Sequence, residues 1–450
     1  MLFVFLGSRG IPLFALLGVC YILPCYVYRQ WGFFTSVGQL ALSFAFVVMS
    51  IFYTLNLWRC SVVLGSIDAP LLLYDAKSFH TLSHDIAHHA MGEQSPIVPY
   101  LGYPLFLSWW IKAGINDIAY PIAINILLTL CSIILVGRCT LFLIDNKNDA
   151  RKIASYAMML TAIIPGVMAN ATVLLKESFV TTAILATLCS ILTFKQGSRH
   201  IAYIAMFLLG ILVLTFCRTT YLYIVGLFLV AIYSYRMTIN EIVPMVGLCL
   251  MIAACVMIGS MNSWWGDNSY VMNYVTSNDY TSFFSGESQK PLEQLLGPYS
   301  TYPLYVKILL WPFTIAIQFI IPFPFATTAP EVGEPFSTSY HRMSYLWYMA
   351  ALPILVYYIT HWFRQGKDVQ LSIWATTAAI AYCIPALITG GSISRYAFCF
   401  VPLLTIMGGY VIHNTLQQRK IERMVVIFSG IYVALLALAL VVGANPHIIL

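Results

Sequence analysis

Residues 119–142 read AYPIAINILLTLCSIILVGRCTLF, and this stretch decides the class of the protein. Arg138 is its only charged residue, and most of the other side chains are apolar. A helix needs about 20 consecutive, mostly apolar residues to cross the hydrocarbon core of a bilayer. We therefore expect residues 119–142 to form a membrane-spanning helix.

The composition extends this expectation to the whole chain. Of the 450 residues, 60% are hydrophobic and only 9% are charged. A soluble domain is about 45–50% apolar and about 25% charged. The composition excludes a soluble enzyme, a disordered protein and a nucleic-acid binder, so the net charge of +6 is interpreted through membrane topology.

Stretches like residues 119–142 recur along the chain, which predicts an all-α, polytopic membrane protein with about 12 transmembrane helices in one domain, residues 1–450. The predicted spans are residues 11–28, 35–56, 119–142, 153–170, 178–194, 201–217, 220–235, 242–260, 344–362, 370–389, 397–414 and 424–443. Residues 305–325 are also apolar, but Pro303, Pro312, Pro322 and Pro324 are expected to interrupt them, because proline breaks helices. We predict a re-entrant or interfacial segment there.

Lysine and arginine residues assign the two sides. One set of short loops holds 13 of the 23 Lys and Arg residues and five of the 17 acids. An excess of basic residues marks cytoplasmic loops. The other side carries the two long polar loops, residues 57–118 and 261–304, so we expect the functional face to be extracytoplasmic.

The first long loop begins with an acid at the head of a helical pattern. Asp75, Phe79 and Leu82 share one face of that predicted helix. An acid placed there can act as a general base, or it can simply favour the helix dipole.

Histidines repeat along the same predicted helix. His80, His84 and His88 lie four residues apart, a spacing that can bind a transition metal or place imidazoles at lipid headgroups. No cysteine pair or second histidine cluster completes a metal site, and the 11 cysteines form no CxxC motif, so a divalent metal is possible but not favoured and no cofactor is predicted.

Four basic or acidic residues lie at the outer ends of predicted spans. Lys176 and Glu177 precede one span, Arg218 follows another, and Arg395 precedes a third. An outward arginine suits an anionic ligand such as a lipid phosphate. Ordinary headgroup contacts and snorkelling explain the same residues without a site.

The second long loop combines aromatic and acidic residues. Trp264, Trp265 and Asp267 suit a carbohydrate, because rings stack on sugar faces and carboxylates bind hydroxyls. An interfacial aromatic belt is the alternative.

Three motifs, taken in chain order, resemble the membrane glycosyltransferases of the C-type superfamily (GT-C), in the branch of the aminoarabinose and protein mannosyl transferases. The motifs are residues 75–87 with the following Gly-Tyr-Pro at 102–104, residues 174–179 (LLKESF), and Ser394-Arg395-Tyr396-Ala397 with Pro402. The chain departs from the family pattern at Ala76, where many members have a second acid, and at Phe79, where tyrosine is usual.

The resemblance implies an inverting glycosyltransferase in a bacterial inner membrane, with its site facing the periplasm. Its donor would be a polyprenyl-phosphate-linked sugar and its acceptor a glycan or lipid. Asp75 would be the base and Glu177 the second carboxylate, while Arg395, Arg218 and Lys176 would hold the phosphate. His80 and Tyr103 would join Trp264, Trp265 and Asp267 in binding the acceptor or the sugar.

Two other functions stay open. A repeat-unit polymerase or ligase that uses an undecaprenyl-pyrophosphate glycan also needs outward arginines, but it carries a long late loop rather than an acid-led first loop. A flippase or transporter of lipid-linked sugars places charges at mid-membrane, whereas here they lie at the ends of spans.

Overall fold

The protein is all-helical wherever the computed structural model describes it. The described residues are 10–63, 65–66, 74–88, 102–197, 200–234, 245–252, 302–320, 335–336, 344, 369–389 and 395–418. Within these ranges helix is the only regular secondary structure, which confirms the all-α prediction.

The helices follow the apolar runs closely. In chain order they are α1 Gly10–Gln30, α2 Ser36–Val63, α3 Tyr74–Ala87, α4 Gly102–Lys112, α5 Ala119–Leu143, α6 Lys147–Ala162, α7 Pro165–Ala171, α8 Glu177–Lys195, α9 Ile201–Arg218, α10 Thr220–Ser234, α11 Leu304–Ile320, α12 Val369–Thr389, α13 Arg395–Phe398 and α14 Val401–Gln418. The first long loop is thus partly helical: α2 runs through Val63, seven residues past the predicted span end at 56, and α3 and α4 occupy much of the rest.

Six of the described helices are long and apolar enough to cross a membrane, or seven if α6 and α7 form one bent span. The protein is therefore an integral membrane protein, and the total of about 12 spans stays a prediction. Nearly all of the predicted span 344–362, all of 424–443 and much of 242–260 lie outside the described residues.

The predicted span 153–170 is two helices rather than one. α6 and α7 meet at an angle of 64°. Ile164, between them, is extended at φ −74° and ψ 112°. The residue before a proline disfavours the helical conformation, and Pro165 then suits the first position of a new helix. The sequence pattern hid this break because apolar residues continue through it.

The expectation that prolines interrupt residues 305–325 is wrong for Pro312, which lies inside the continuous helix α11. At 1.5 Å per residue, a helix of 17 residues is about 25 Å long, shorter than the roughly 30 Å hydrocarbon core. Residues 321–325 are outside the described part. A segment that does not fully cross the membrane stays a prediction.

Helix α5 lies at the centre of the bundle and packs against α1, α6 and α8. Helix α8 also packs against α9, and α6 against α2 and α14. The amphipathic helix α3 packs on α4. This arrangement brings the start of α8, the end of α9 and the α3–α4 pair to the same end of the bundle.

Candidate functional site

One end of the bundle gathers the charged candidates that the sequence scatters over more than 300 residues. Asp75 lies in the first turn of α3, Lys176 immediately precedes α8, and Glu177 begins it. Arg218 ends α9, and α13 begins at Arg395. We call this region the charged end.

Two ring contacts tie the charged end together. The Lys176 Nζ atom lies 5.2 Å from the centroid of the Phe79 ring, one turn of α3 from Asp75. The Arg218 Cζ atom lies 3.6 Å from the centroid of the Tyr396 ring, next to Arg395 in sequence. Lys176 therefore contacts α3, and Arg218 contacts α13.

Two buried asparagines hold the segment that leads into Lys176 and Glu177. The Asn125 Nδ2 group donates to the carbonyls of Val173 and Leu175 at 2.9 and 3.0 Å. The Asn56 Nδ2 group donates to the Thr172 carbonyl at 3.0 Å. This non-helical segment is buried, and buried carbonyls need partners, so the two amides fix where the charged pair sits.

Aromatic rings hold α3 and α4 over the start of α8. The Tyr103 ring lies 5.4 Å from that of Phe79 and 5.5 Å from that of Phe179, centroid to centroid. Phe106 lies 4.8 Å from Phe179. Tyr103 is fully buried, and its hydroxyl accepts a hydrogen bond from Asn125 at 3.4 Å. The structure places Tyr103 in this packing, and its predicted contact with an acceptor stays a prediction.

Arg218 is held in a fixed orientation. Its side chain is buried, and its Nη1 group donates to the Tyr221 hydroxyl at 3.1 Å. That hydroxyl in turn donates to the Tyr396 carbonyl at 2.9 Å. A guanidinium fixed by a ring and a hydroxyl loses little further freedom when it binds an anion.

The two cations influence each other's charge. Burial is the largest effect on Lys176, followed by the nearby Arg218 guanidinium, and together they hold the pKa of Lys176 well below its usual range. Glu177 and Asp75 act in the opposite direction. A ligand that brings negative charge would raise the pKa of Lys176 and favour its ammonium form, so this pair suits an anion.

The rings of His80, His84 and His88 follow one another along one side of α3 and just past its end. The ring centroids of His80 and His84 are 4.7 Å apart, and those of His84 and His88 are 6.1 Å apart. Among the described residues, no three His, Cys, Asp or Glu side chains converge on a point that could hold a metal ion. His80 is half-buried, and its predicted role in acceptor binding stays open.

Some candidates lie outside what the structure describes. Trp264, Trp265 and Asp267 are outside the described residues, and so is the side chain of Arg395.

Sequence reasoning missed three residues of the charged end: Asn56, Asn125 and Tyr221. The asparagines carry a signal that could have been used, because a polar amide within an apolar span requires a partner. Tyr221 carries no such signal among the many tyrosines of the chain.

A general base candidate near two buried cations can remove a proton from a hydroxyl while the cations hold an anionic leaving group.

Comparison with known proteins assigns the chain to no family: no protein-family model matches it, and no curated protein matches it.

Proposed function

We propose that the protein is a glycosyltransferase that moves a sugar from a polyprenyl-phosphate donor to a glycan or lipid acceptor on the extracytoplasmic face of the membrane. The observation that carries the proposal is that Asp75 and the buried Arg218 both act on the charge of the buried Lys176, at one end of an apolar bundle. A buried cationic pair is costly without an anion. A lipid phosphate supplies the anion, and its apolar tail partitions into the bilayer beside the site.

In the proposed reaction, the Asp75 carboxylate accepts the proton of an acceptor hydroxyl. The hydroxyl oxygen attacks the anomeric carbon, and the bond from that carbon to the phosphate oxygen breaks with its electron pair on the phosphate. Arg218 and Lys176 stabilise the charge that grows on the leaving phosphate. Arg395 is proposed as a further phosphate ligand, because α13 begins with it and its neighbour Tyr396 packs on Arg218.

Glu177 is less suited than Asp75 to meet an acceptor. Its side chain is 3% exposed, whereas Asp75 is half-buried at the start of an amphipathic helix. We therefore assign the proton transfer to Asp75. Trp264, Trp265 and Asp267 remain proposed sugar-binding residues on the second long loop.

The experiment is incubation of the purified protein in detergent with a panel of polyprenyl-phosphate sugars and candidate acceptors, with mass spectrometry of the products. Detergent removes the two compartments that a transporter needs, so product formation separates an enzyme from a flippase. Arg218→Ala should reduce transfer by roughly 10–150-fold, the equivalent of a charge-assisted contact of about 1.5–3 kcal/mol. Transfer only from pyrophosphate-linked glycans would instead support a polymerase or ligase.

A further inference from the structure

A small cavity lies at the start of α8, within the bundle. Its volume is about 10 Å³, close to what a single water molecule or an ion of similar size requires. The lining combines the apolar side chains of Val167, Phe398 and Cys399 with six polar residues: Thr129, Ser132, Asn170, Glu177, Ser178 and Thr181. The proposed transfer reaction assigns no ligand to this cavity.

The Glu177 carboxylate is the charged group among the residues that line the cavity. The side chain is 3% exposed, and neither carboxylate oxygen has a hydrogen-bond partner among the described residues. Burying a carboxylate without a partner costs several kcal/mol in a protein interior. An unsatisfied buried group of this kind indicates a bound water or ion.

The neighbouring hydroxyl groups present lone pairs to the cavity. Thr129 Oγ1 has one hydrogen, which it donates to the Asn125 carbonyl at 2.9 Å or to Ser178 Oγ at 3.0 Å. Thr182 Oγ1 donates its hydrogen to a backbone carbonyl of α5 or α8, so Ser132 Oγ donates to Thr182 at 2.9 Å. The Thr129 and Ser132 oxygens are therefore left as acceptors, and a guest that offers positive charge suits them.

The donor set selects the class of guest. With one carboxylate and neutral oxygens, and no three His, Cys, Asp or Glu side chains converging in the described part of the chain, a transition metal is a poor fit. Hard cations take oxygen ligands, and one carboxylate balances the charge of a monovalent cation. Asn170 reaches the cavity from α7, the second half of the bent pair, and interrupted helices commonly border ion sites in membrane proteins.

The other charged groups near Glu177 do not line the cavity. In the described part of this region they are Lys176, Arg218 and Asp75. None of the three is among the residues that line the cavity, so the Glu177 carboxylate is the group that a cation there would meet.

We propose that this cavity is a sodium site, in which the Glu177 carboxylate and the Thr129 and Ser132 hydroxyl oxygens hold one Na⁺ ion. The site does not depend on the transferase proposal, since it binds neither donor nor acceptor.

The test uses the full-length protein, purified in detergent. Equilibrium binding of radioactive ²²Na⁺ should saturate at one ion per chain. The thermal unfolding midpoint should rise by about 2–4 °C when NaCl replaces N-methyl-D-glucamine chloride at constant ionic strength, because a ligand of the native state stabilises it. No ²²Na⁺ binding together with equal midpoints in the two salts would overturn the proposal and leave the cavity to water.

Variants locate the ion. Glu177→Gln should abolish ²²Na⁺ binding, and Thr129→Val and Ser132→Ala should each weaken it at least tenfold. Thr140→Val is the matched control, since Thr140 is buried on the same helix but bonds only to the Val136 carbonyl of its own helix, and it should bind as wild type does. Binding that survives Glu177→Gln would also overturn the proposal, and if that variant does not fold, unchanged binding in both hydroxyl variants decides against it.

Discussion

Replacing Asn125 by leucine should destabilise the protein by about 1–4 kcal/mol. The substitution keeps the approximate size of the side chain and removes the two hydrogen bonds to the Val173 and Leu175 carbonyls, together with the longer contact to the Tyr103 hydroxyl. Side-chain hydrogen bonds in membrane proteins contribute about 0.6 kcal/mol each, which sets a lower bound near 1 kcal/mol. The upper bound is higher because both carbonyls belong to a buried non-helical segment, and leaving a buried acceptor unpaired costs roughly 1–3 kcal/mol.

The assay is unfolding by SDS in mixed micelles, followed by tryptophan fluorescence. Thr140→Val is again the matched control: it removes a buried hydroxyl from the same helix, but the carbonyl it leaves keeps its helical hydrogen bond, so the free energy of unfolding should change by less than about 0.5 kcal/mol. If Asn125→Leu and Thr140→Val unfold alike, the claim that Asn125 fixes the segment before Lys176 is refuted.

The remaining predictions concern the guanidinium and the helix packing. Arg218→Lys keeps the charge but cannot make the two parallel hydrogen bonds proposed to the donor phosphate, so kcat/KM for the donor should fall about tenfold or more, with part of the loss in kcat. Wild-type kinetics in this variant would remove Arg218 from the site. Tyr221→Phe removes the hydroxyl that links Arg218 to α13 and should lower the free energy of unfolding by about 0.5–1.5 kcal/mol, with no change contradicting that link. Gly210→Ala should cost about 1–3 kcal/mol, because its Cβ atom would lie 2.3 Å from Thr187 Oγ1, whereas Gly226→Ala meets nothing within 4 Å and should be neutral or stabilising by up to about 1 kcal/mol. Equal unfolding midpoints for the two glycine variants would refute the close approach of α8 and α9.

The long apolar helices of the described part were predictable because their signal is local. An apolar run long enough to cross a bilayer has few other uses, so the ends of α5, α8 and α9 fall within one residue of the predicted ends. The same reasoning failed at two prolines: it missed one helix break and predicted another that does not occur. Pro165 starts a new helix inside a predicted span, while Pro312 is accommodated within a helix that the sequence predicted to be interrupted.

The sequence predicted which residues belong to the charged end, but not how deeply they are buried or what they contact. Counting spans placed Asp75, Lys176 and Arg218 on the same side of the membrane, because an odd number of predicted spans separates each of them from the basic, cytoplasmic loops. It could not give the depth of a side chain: Glu177 is buried at the start of α8, which packs against α7. The asparagine bonds to the segment before Lys176 join residues 48 and 116 positions apart, and no local pattern encodes such pairings.

The central claim is that Asp75 removes the acceptor proton in sugar transfer, and the most direct measurement is the transfer rate of Asp75→Asn from a polyprenyl-phosphate sugar that the wild-type protein uses. Asp85→Asn is the control, since Asp85 lies on the same helix, ten residues on. A general base typically contributes about 10²–10⁴-fold, so the Asp75 variant should lose at least about 100-fold while the Asp85 variant keeps most of its rate and both insert and fold. An Asp75→Asn protein that retains more than about a tenth of the wild-type rate would contradict the account.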